Sequence, residues 1–473
     1  MRSIGWVAEV LDAPIRWPDR TRALTGVSID SRTIQPGQLF AALPGERTDG
    51  HRFLAAAFRR GASGALVRDV PTESDVKLAN CIPVPDPLEA LQRLAAQRRA
   101  ELTIPIVGIT GSAGKTTTKE LLHSVLSARY RSYRTPGNHN TEIGLPLALL
   151  NMPDETDVAV VEMGLQQPGE IGALCAIARP TLAVLTSIGD AHIGHFPHQT
   201  ALAREKWALI ESLPPGGQAV LNLDAPFVDD WRRPLACQAV TLALDHADAD
   251  VVAVDVEDTA MDGLTVQARI QGETVSLRTQ LLGRHNAYAV LAALAIGRAL
   301  DVPIDDIQRA VAGFSPIPHR MEPKRSARYG LILDDTYNAS PSATRAALDA
   351  LARLNAGQAK IAILGDMREL GEQAEAQHRG LAAHVDRLGI DGVLTIGDLA
   401  RGISEALRDD YGWSSASAAH AADVDELGRE LARRVPEAGA CVLVKGSRAM
   451  ALDEVVDRLV TPTAEAPQRS ETR

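Results

Sequence analysis

The stretch IPIVGITGSAGKTTTKELLHSVLSAR, Ile104–Arg129, decides the fold class. Its first seven residues are an apolar, β-branched run, as expected of a buried strand. After a glycine-rich turn, Leu121, Leu122, Val125 and Leu126 recur at helical spacing and give KTTTKELLHSVLSAR one buried stripe. The turn between them carries chemistry. Gly111 and Gly114 let the backbone approach a phosphate closely, and the N–H groups of Ser112, Ala113, Thr116 and Thr117 lie at the helix N-terminus. Lys115 adds a point charge, and the Thr116 hydroxyl suits Mg²⁺. The widespread P-loop spacing would place glycine at position 109, where Ile109 stands, so this is the shorter form G-x-x-G-K-T. A ligand-free strand–helix turn is the plain alternative.

Working outward, DVAVVEMG, TLAVLTSIG and GQAVLNLD are further apolar runs separated by helical or loop sequence. Strands alternating with helices predict a mainly parallel sheet covered on both faces. Residues 250–282 alternate apolar and polar and read as a small antiparallel addition. Downstream, LILDD, KIAILGD, GVLTIGD and ACVLVKG are apolar strands ending in small or acidic residues. They predict a second α/β unit with functional groups at strand C-termini. The expected division is 1–102, 103–315 and 316–460, with the Pro-rich FSPIPHRMEP as a linker region. The tail 461–473 has little to bury and is expected to be disordered.

Composition narrows the function classes. A net charge of −11 and 4% aromatic residues argue against nucleic-acid binding by phosphate neutralisation or base stacking. The four cysteines are widely spaced and read as buried thiols of a reducing compartment. No signal peptide or membrane-length apolar run is present, so a cytoplasmic protein without membrane insertion is expected.

Other positions keep two readings at this stage. Glu162 ends the strand of VVEMG and would suit Mg²⁺, or would be a strand-end surface group. His192, His195 and His198 invite a zinc site, but Gly194 and Pro197 argue for a loop, and no cysteine accompanies them. Lys206, in the amphipathic TALAREKWALIESL, reads by itself as a solvated or Glu-paired lysine. Asn286 opens a helix, either reading a base edge through its amide or capping that helix. Asp335, in LILDDTYNASPSA, suits a ribose hydroxyl or shapes a turn. Lys445, Ser447 and Arg448, in LVKGSRAM, suit a carboxylate ligand or form a surface loop.

Taken in order, TGSAGKTTT, NHNTEIGLP, VEMG, the Gly-Asp-Ala-His with its downstream lysine, GRHN, DDTYNASPSA, LGDMRELGE and VKGSR resemble the Mur ligase family. The resemblance runs from about residue 25 to 455. It implies three domains: a small N-terminal α/β domain for a UDP-sugar, a central P-loop ATPase domain and a C-terminal Rossmann-like domain. It implies ATP-dependent amide formation with Mg²⁺ through an acyl phosphate. The expected substrates are UDP-N-acetylmuramoyl-tripeptide and D-alanyl-D-alanine, and a monomer is expected. By the same resemblance Lys115 contacts the phosphates, Thr116 and Glu162 hold one Mg²⁺, and His192 holds a second. Lys206, 206 − 192 = 14 positions on, matches a carbamylated lysine, an anionic ligand where a free ammonium would repel the metal. Asn286 matches an adenine contact, and Arg320 and Asp335 match nucleotide contacts from the third domain. Ser31 and Arg32 match the uridine-sugar region, and Asn138 and Asn140 the substrate loop. The sequence departs from the family at Trp207 and Ala208, at Ala289, and at His319, where glycine is common.

Overall fold

The computed structural model describes residues 2–13, 21–45, 48–70, 81–258, 262–354, 359–436 and 439–460. The tail 461–473 therefore lies outside the described residues. The strand expected from Ile104 forms over Ile106–Thr110, and the helix over Lys115–Ser127. This strand lies inside a nine-stranded sheet, between Val158–Glu162 and Leu182–Leu185. Outward from Leu182–Leu185 the sheet continues through Gln218–Asn222, Gln238–Ala243 and Val251–Asp258, all parallel. The hairpin Leu264–Ile270 and Glu273–Thr279 closes that edge antiparallel. The addition expected at 250–282 is thus only partly antiparallel. Val251 and Val252 pair in parallel with Leu242 and Ala243, so the first of its strands extends the main sheet.

Pleating explains why both faces are covered. Val107, Val158 and Val160 point to the face occupied by Lys115–Ser127 and Ala287–Ala299, whereas Ile106, Ala159 and Val161 point to the opposite face. Each fully buried Val or Leu contributes about 1.5–3 kcal/mol. Trp207 buries beneath the opposite face. It meets Trp231 edge-on at 5.6 Å between ring centroids, and Trp231 stacks on Phe227 at 5.2 Å.

A second sheet of six strands has the order Glu322–Ser326, Gly330–Asp335, Ala440–Lys445, Ala359–Gly365, Gly392–Ile396 and Ala418–Ala421. Only its first pair is antiparallel. A third, parallel sheet joins Val27–Ser28, Leu39–Ala41, Gly64–Val67 and Cys81–Pro83. The helix Gly144–Leu150 ties this sheet to the nine-stranded one. Leu147 packs among Leu24, Val27 and Leu39, and the Asn151 amide exchanges hydrogen bonds with the Val27 backbone at 2.9 Å each. A mixed α/β architecture with two parallel-rich sheets is what the strand and helix pattern predicted, and the N-terminal α/β unit is what the resemblance implied. All four cysteines are buried and unpaired. Among the described residues, no helix is long and apolar enough to cross a membrane.

Candidate active site

The C-terminal ends of the nine-stranded and six-stranded sheets face one another across a cavity of about 480 Å³. On the first side lie the glycine-rich turn, Asn138, Asn140, Glu162, His192 and Asn286. On the second lie Arg320, Asp335, Tyr337 and Lys445.

Sterics fix the turn. Gly111 has φ +151°, and a Cβ there would lie 2.0 Å from Thr186 Oγ1, so no side chain fits. Gly114 has φ +81° at the helix start, a conformation that costs an L-residue. Ser112 locks the turn to the neighbouring loop: its hydroxyl accepts from Gly189 N at 2.8 Å, and its N–H donates to Ser187 O at 2.9 Å. Lys115 folds back so that Nζ donates to Gly111 O at 2.6 Å. Its pKa is lowered, first by burial. The Glu162 carboxylate opposes that shift, and Arg320 adds to it. An ammonium in such a place gains when phosphate arrives.

Glu162 is the hub. It is 3% exposed, so the surface-group reading fails. Thr116 Oγ1 donates to Oε2 at 2.9 Å and Asn140 Nδ2 to Oε1 at 2.8 Å. Lys119 Nζ lies 3.6 Å from Oε2, fully buried, and donates to Gly137 O at 2.8 Å. Sequence reasoning passed over Lys119, although its place one helical turn after Lys115 was the available signal. Two oxygens in contact, a hydroxyl and a carboxylate, are donors that a hard divalent cation accepts.

The second side reaches across. Arg320 Nη2 donates to Thr116 Oγ1 at 2.9 Å, and its guanidinium lies 4.1 Å from the Tyr337 ring centroid. Asp335 accepts from Met321 N at 3.2 Å and pairs with Lys445 Nζ at 2.5 Å. Lys445 also donates to Asn338 O at 3.0 Å. The trio read as a carboxylate site is thus dispersed. Lys445 is committed to Asp335. Ser447 is buried and accepts from Arg368 N at 2.9 Å. Arg448 is exposed, pairs with Asp453 at 2.9 Å and does not line the cavity. Asn286 does not cap its helix through its side chain. Its Nδ2 donates to Leu282 O at 2.7 Å, and the residue lines the cavity. Ser31 and Arg32 lie on the N-terminal sheet's side, outside this cavity, with Arg32 forked onto Asp30 at 2.7 Å.

The three histidines separate. His192 lines the cavity with φ +67°. His195 Nδ1 meets Gln167 at 3.2 Å, and His198 Nδ1 accepts from Ala201 N at 3.1 Å as a helix cap. Among the described residues, the group spaced for a metal is instead His319, Glu322 and Asp334. Lys324 Nζ already sits there, 2.7 Å from Asp334 and 3.3 Å from Glu322, so an ammonium fills the place of a cation.

Lys206 is neither solvated nor paired with glutamate. It is fully buried and its Nζ has no hydrogen-bond partner. Burial, then repulsion from Lys115, pull its pKa down to about 7, with Glu205 opposing. It lies behind the cavity wall and is not one of the lining residues.

Three family models match the chain: the Mur ligase family catalytic domain over 23–99, the Mur ligase middle domain over 109–297, and the Mur ligase glutamate ligase domain over 319–448. A UDP-N-acetylmuramoyl-tripeptide–D-alanyl-D-alanine ligase of Bacillus subtilis is 33% identical, over 97% of this chain and 98% of its own. The chain belongs to the Mur ligase family. The Escherichia coli ligase of the same name is 32% identical with the same coverage. Among solved structures, a MurF from Acinetobacter baumannii matches with a TM-score of 0.87 at 27% identity, covering 97% of this chain and 98% of that one. A MurF ligase from Thermotoga maritima in complex with ADP matches at 0.79 and 29%, covering 92% and 96%. In this Mur ligase the cavity between the two sheets is where nucleotide chemistry is possible.

Proposed function

We propose that this Mur ligase joins D-alanyl-D-alanine to UDP-N-acetylmuramoyl-tripeptide at the expense of ATP, forming the pentapeptide precursor of peptidoglycan. The observation that carries the reading is the similarity to ligases of that name along almost the whole chain. The units are residues 1–102 for the UDP-sugar, 103–315 for ATP and 316–460 for closure. The enzyme acts as a cytoplasmic monomer.

A carboxylate is a poor acyl donor, because oxide is a poor leaving group. Attack of the tripeptide carboxylate oxygen on the γ-phosphorus of ATP breaks the bond to the β-bridging oxygen and releases ADP. The acyl phosphate then takes the free amine of D-alanyl-D-alanine at its carbonyl carbon. The tetrahedral adduct expels phosphate, and the amine's proton passes to solvent. Negative charge concentrates on phosphate oxygens throughout, so preplaced cations carry most of the acceleration. Lys115 and the N–H groups of 111–117 hold the phosphates. Asn286 meets the adenine, Asp335 the ribose and Arg320 the phosphates. Lys445 acts by holding Asp335 in place. Ser31 and Arg32 bind the uridine end, and Asn138 and Asn140 line the path to the acyl group.

Mg²⁺ when bound neutralises the phosphate oxygens. Thr116 and Glu162 would hold one ion, and His192 with Lys206 a second. The orphaned amine of Lys206 fits carbamylation. Its neutral form can add to CO₂, forming an N–C bond and releasing one proton, and the product is an anionic oxygen ligand.

A coupled ADP-release assay tests the function. With UDP-N-acetylmuramoyl-tripeptide present, release is expected to require D-alanyl-D-alanine. Turnover supported only by single amino acids would overturn the substrate assignment.

A further inference from the structure

We propose that Glu369 is a positioning residue that couples closure of the C-terminal unit to the cation site by orienting His192. The inference rests on the reading of His192 as a cation ligand given above. Glu369 belongs to the loop after the strand Ala359–Gly365, whereas His192 belongs to the loop after Leu182–Leu185. Across the gap, His192 Nδ1 lies 2.5 Å from Glu369 Oε2. That nitrogen is buried and makes no aligned hydrogen bond, so the carboxylate is at contact distance and a small rotation of the ring would complete the bond.

The approach is enforced by the backbone. Gly194 N donates to Glu369 O at 2.9 Å. A Cβ on Gly194 would lie 2.5 Å from Gly371 N, and one on Gly371, at φ +56°, would lie 3.0 Å from Gly194 Cα. Two glycines thus form a clasp between the loops. Both His192 and Glu369 are held at left-handed φ, +67° and +64°. Two non-glycine residues in that region, facing each other, mark geometry imposed by the contact.

The chemical consequence follows from the imidazole. A carboxylate at Nδ1 keeps the hydrogen there, which leaves the Nε2 lone pair free to meet a cation and fixes the ring's direction. Glu369 is too exposed for this pair to matter much to stability. Its effect is on when His192 is a good ligand: only with the two units together. Binding a second cation and closing would then favour each other, as linkage requires.

The test uses the full chain with Mn²⁺ as probe and a non-hydrolysable ATP analogue. Free Mn²⁺ is followed by electron paramagnetic resonance. Closure is followed separately in Mg²⁺, as the distance between labels at Val254→Cys and Tyr411→Cys, both exposed positions on opposite units. In Glu369→Ala the weaker Mn²⁺ site is expected to lose about tenfold or more in affinity. The tighter site should stay unchanged, and the distance with analogue should lengthen. Glu369→Gln, which keeps an acceptor oxygen, should fall between. Gly371→Ala should act in the same direction with Glu369 intact. If Glu369→Ala keeps both affinities and the closed distance while His192→Ala loses a site, the coupling is overturned and the cation reading survives. If His192→Ala keeps both sites, the cation reading itself falls and the coupling falls with it.

Discussion

The two walls of the cavity are built on different terms. On the P-loop wall, most of the groups that face the cavity come from short segments after parallel strands, and Asn286 comes from a helix start. Thr116 and Asn140 both donate to Glu162, and Lys119 braces the carboxylate from behind. This wall is complete before anything approaches it, and it tolerates one unpartnered amine, Lys206. On the opposite wall every charged group is already engaged: Arg320 with Thr116, Asp335 with Lys445, Glu369 with His192. Two of these three contacts exist only because the sheets meet. The first wall stores chemistry, and the second stores position. Preorganised charge suits a step in which charge develops, and exchangeable contacts suit a lid that must open to release product.

The sharpest break of this contrast is at Lys206. A buried amine without a partner costs folding energy, so its persistence needs a functional reason. Lys206→Ala is expected to lower kcat by about 10²–10³ or more, the range for losing one preorganised electrostatic group. A short carboxylate in the buffer should return part of it. Lys206→Met should lose activity equally and melt higher, since an apolar chain of similar length replaces an orphaned polar atom. Full activity in either variant would end the carbamate reading. The same residue gives a pH dependence. With a pKa near 7, Lys206 is mostly ammonium at pH 6 and mostly free amine at pH 8. Only the amine adds CO₂. Activation of CO₂-stripped enzyme by bicarbonate should therefore be strong above pH 7 and fade below it. Equal activation at both pH values would count against it.

Arg320 probes the second wall with a smaller expected effect. Its guanidinium spans from Tyr337 to Thr116, so it acts after the walls meet. Arg320→Ala is expected to reduce kcat/KM for ATP about 10–100-fold, at about 1.5–3 kcal/mol for a hydrogen bond to a charged group. Phosphate affinity of the open P-loop should change little. Calorimetric titration with ADP would show this, and a loss in ADP affinity as large as that in kcat/KM would place Arg320 on the first wall instead.

Legibility in the sequence follows the same division. The centre of the P-loop wall was readable because the glycine-rich turn and Glu162 lie at strand ends in apolar runs, where periodicity fixes the location, whereas Lys119 and the burial of Lys206, both inside helices, were not. Ile106–Thr110 and Val158–Glu162 fall where the apolar runs placed them. The second wall was only half readable. Strand ends placed Asp335 and Lys445 in one region, but nothing local says that the two pair with each other. Read separately, Asp335 suited a ribose hydroxyl or a turn, and Lys445 a carboxylate ligand or a surface loop. Register across the sheet decides it, because Asp335 and Lys445 are direct partners on neighbouring parallel strands. Glu369 and Arg448 carry no periodic signal, so the loops alone could not tell which of them meets the opposite unit. Only tertiary contact separates a carboxylate beside His192 from an arginine turned to Asp453.

The smallest effect is the most discriminating for the histidines. His195 and His198 share the loop with His192 but belong to neither wall's chemistry. His198 caps the helix Gln199–Glu211 through Nδ1, accepting from Ala201 N. That helix carries Lys206 two turns further on. Loss of a side-chain cap costs about 1 kcal/mol, which for a unit the size of the central one lowers the melting temperature by a few degrees at most, on the order of 2–4 °C. His198→Ala should show this loss with kcat within about twofold of the parent, and His198→Asn, a good capping residue, should restore the melting temperature. His195→Ala should change neither quantity measurably. The argument turns on what the caps hold. If the helix start only supports the fold, His198→Asn rescues everything. A loss of bound Mn²⁺ in His198→Ala that His198→Asn leaves unrescued would mean that the imidazole itself, and not the cap, serves the cation site.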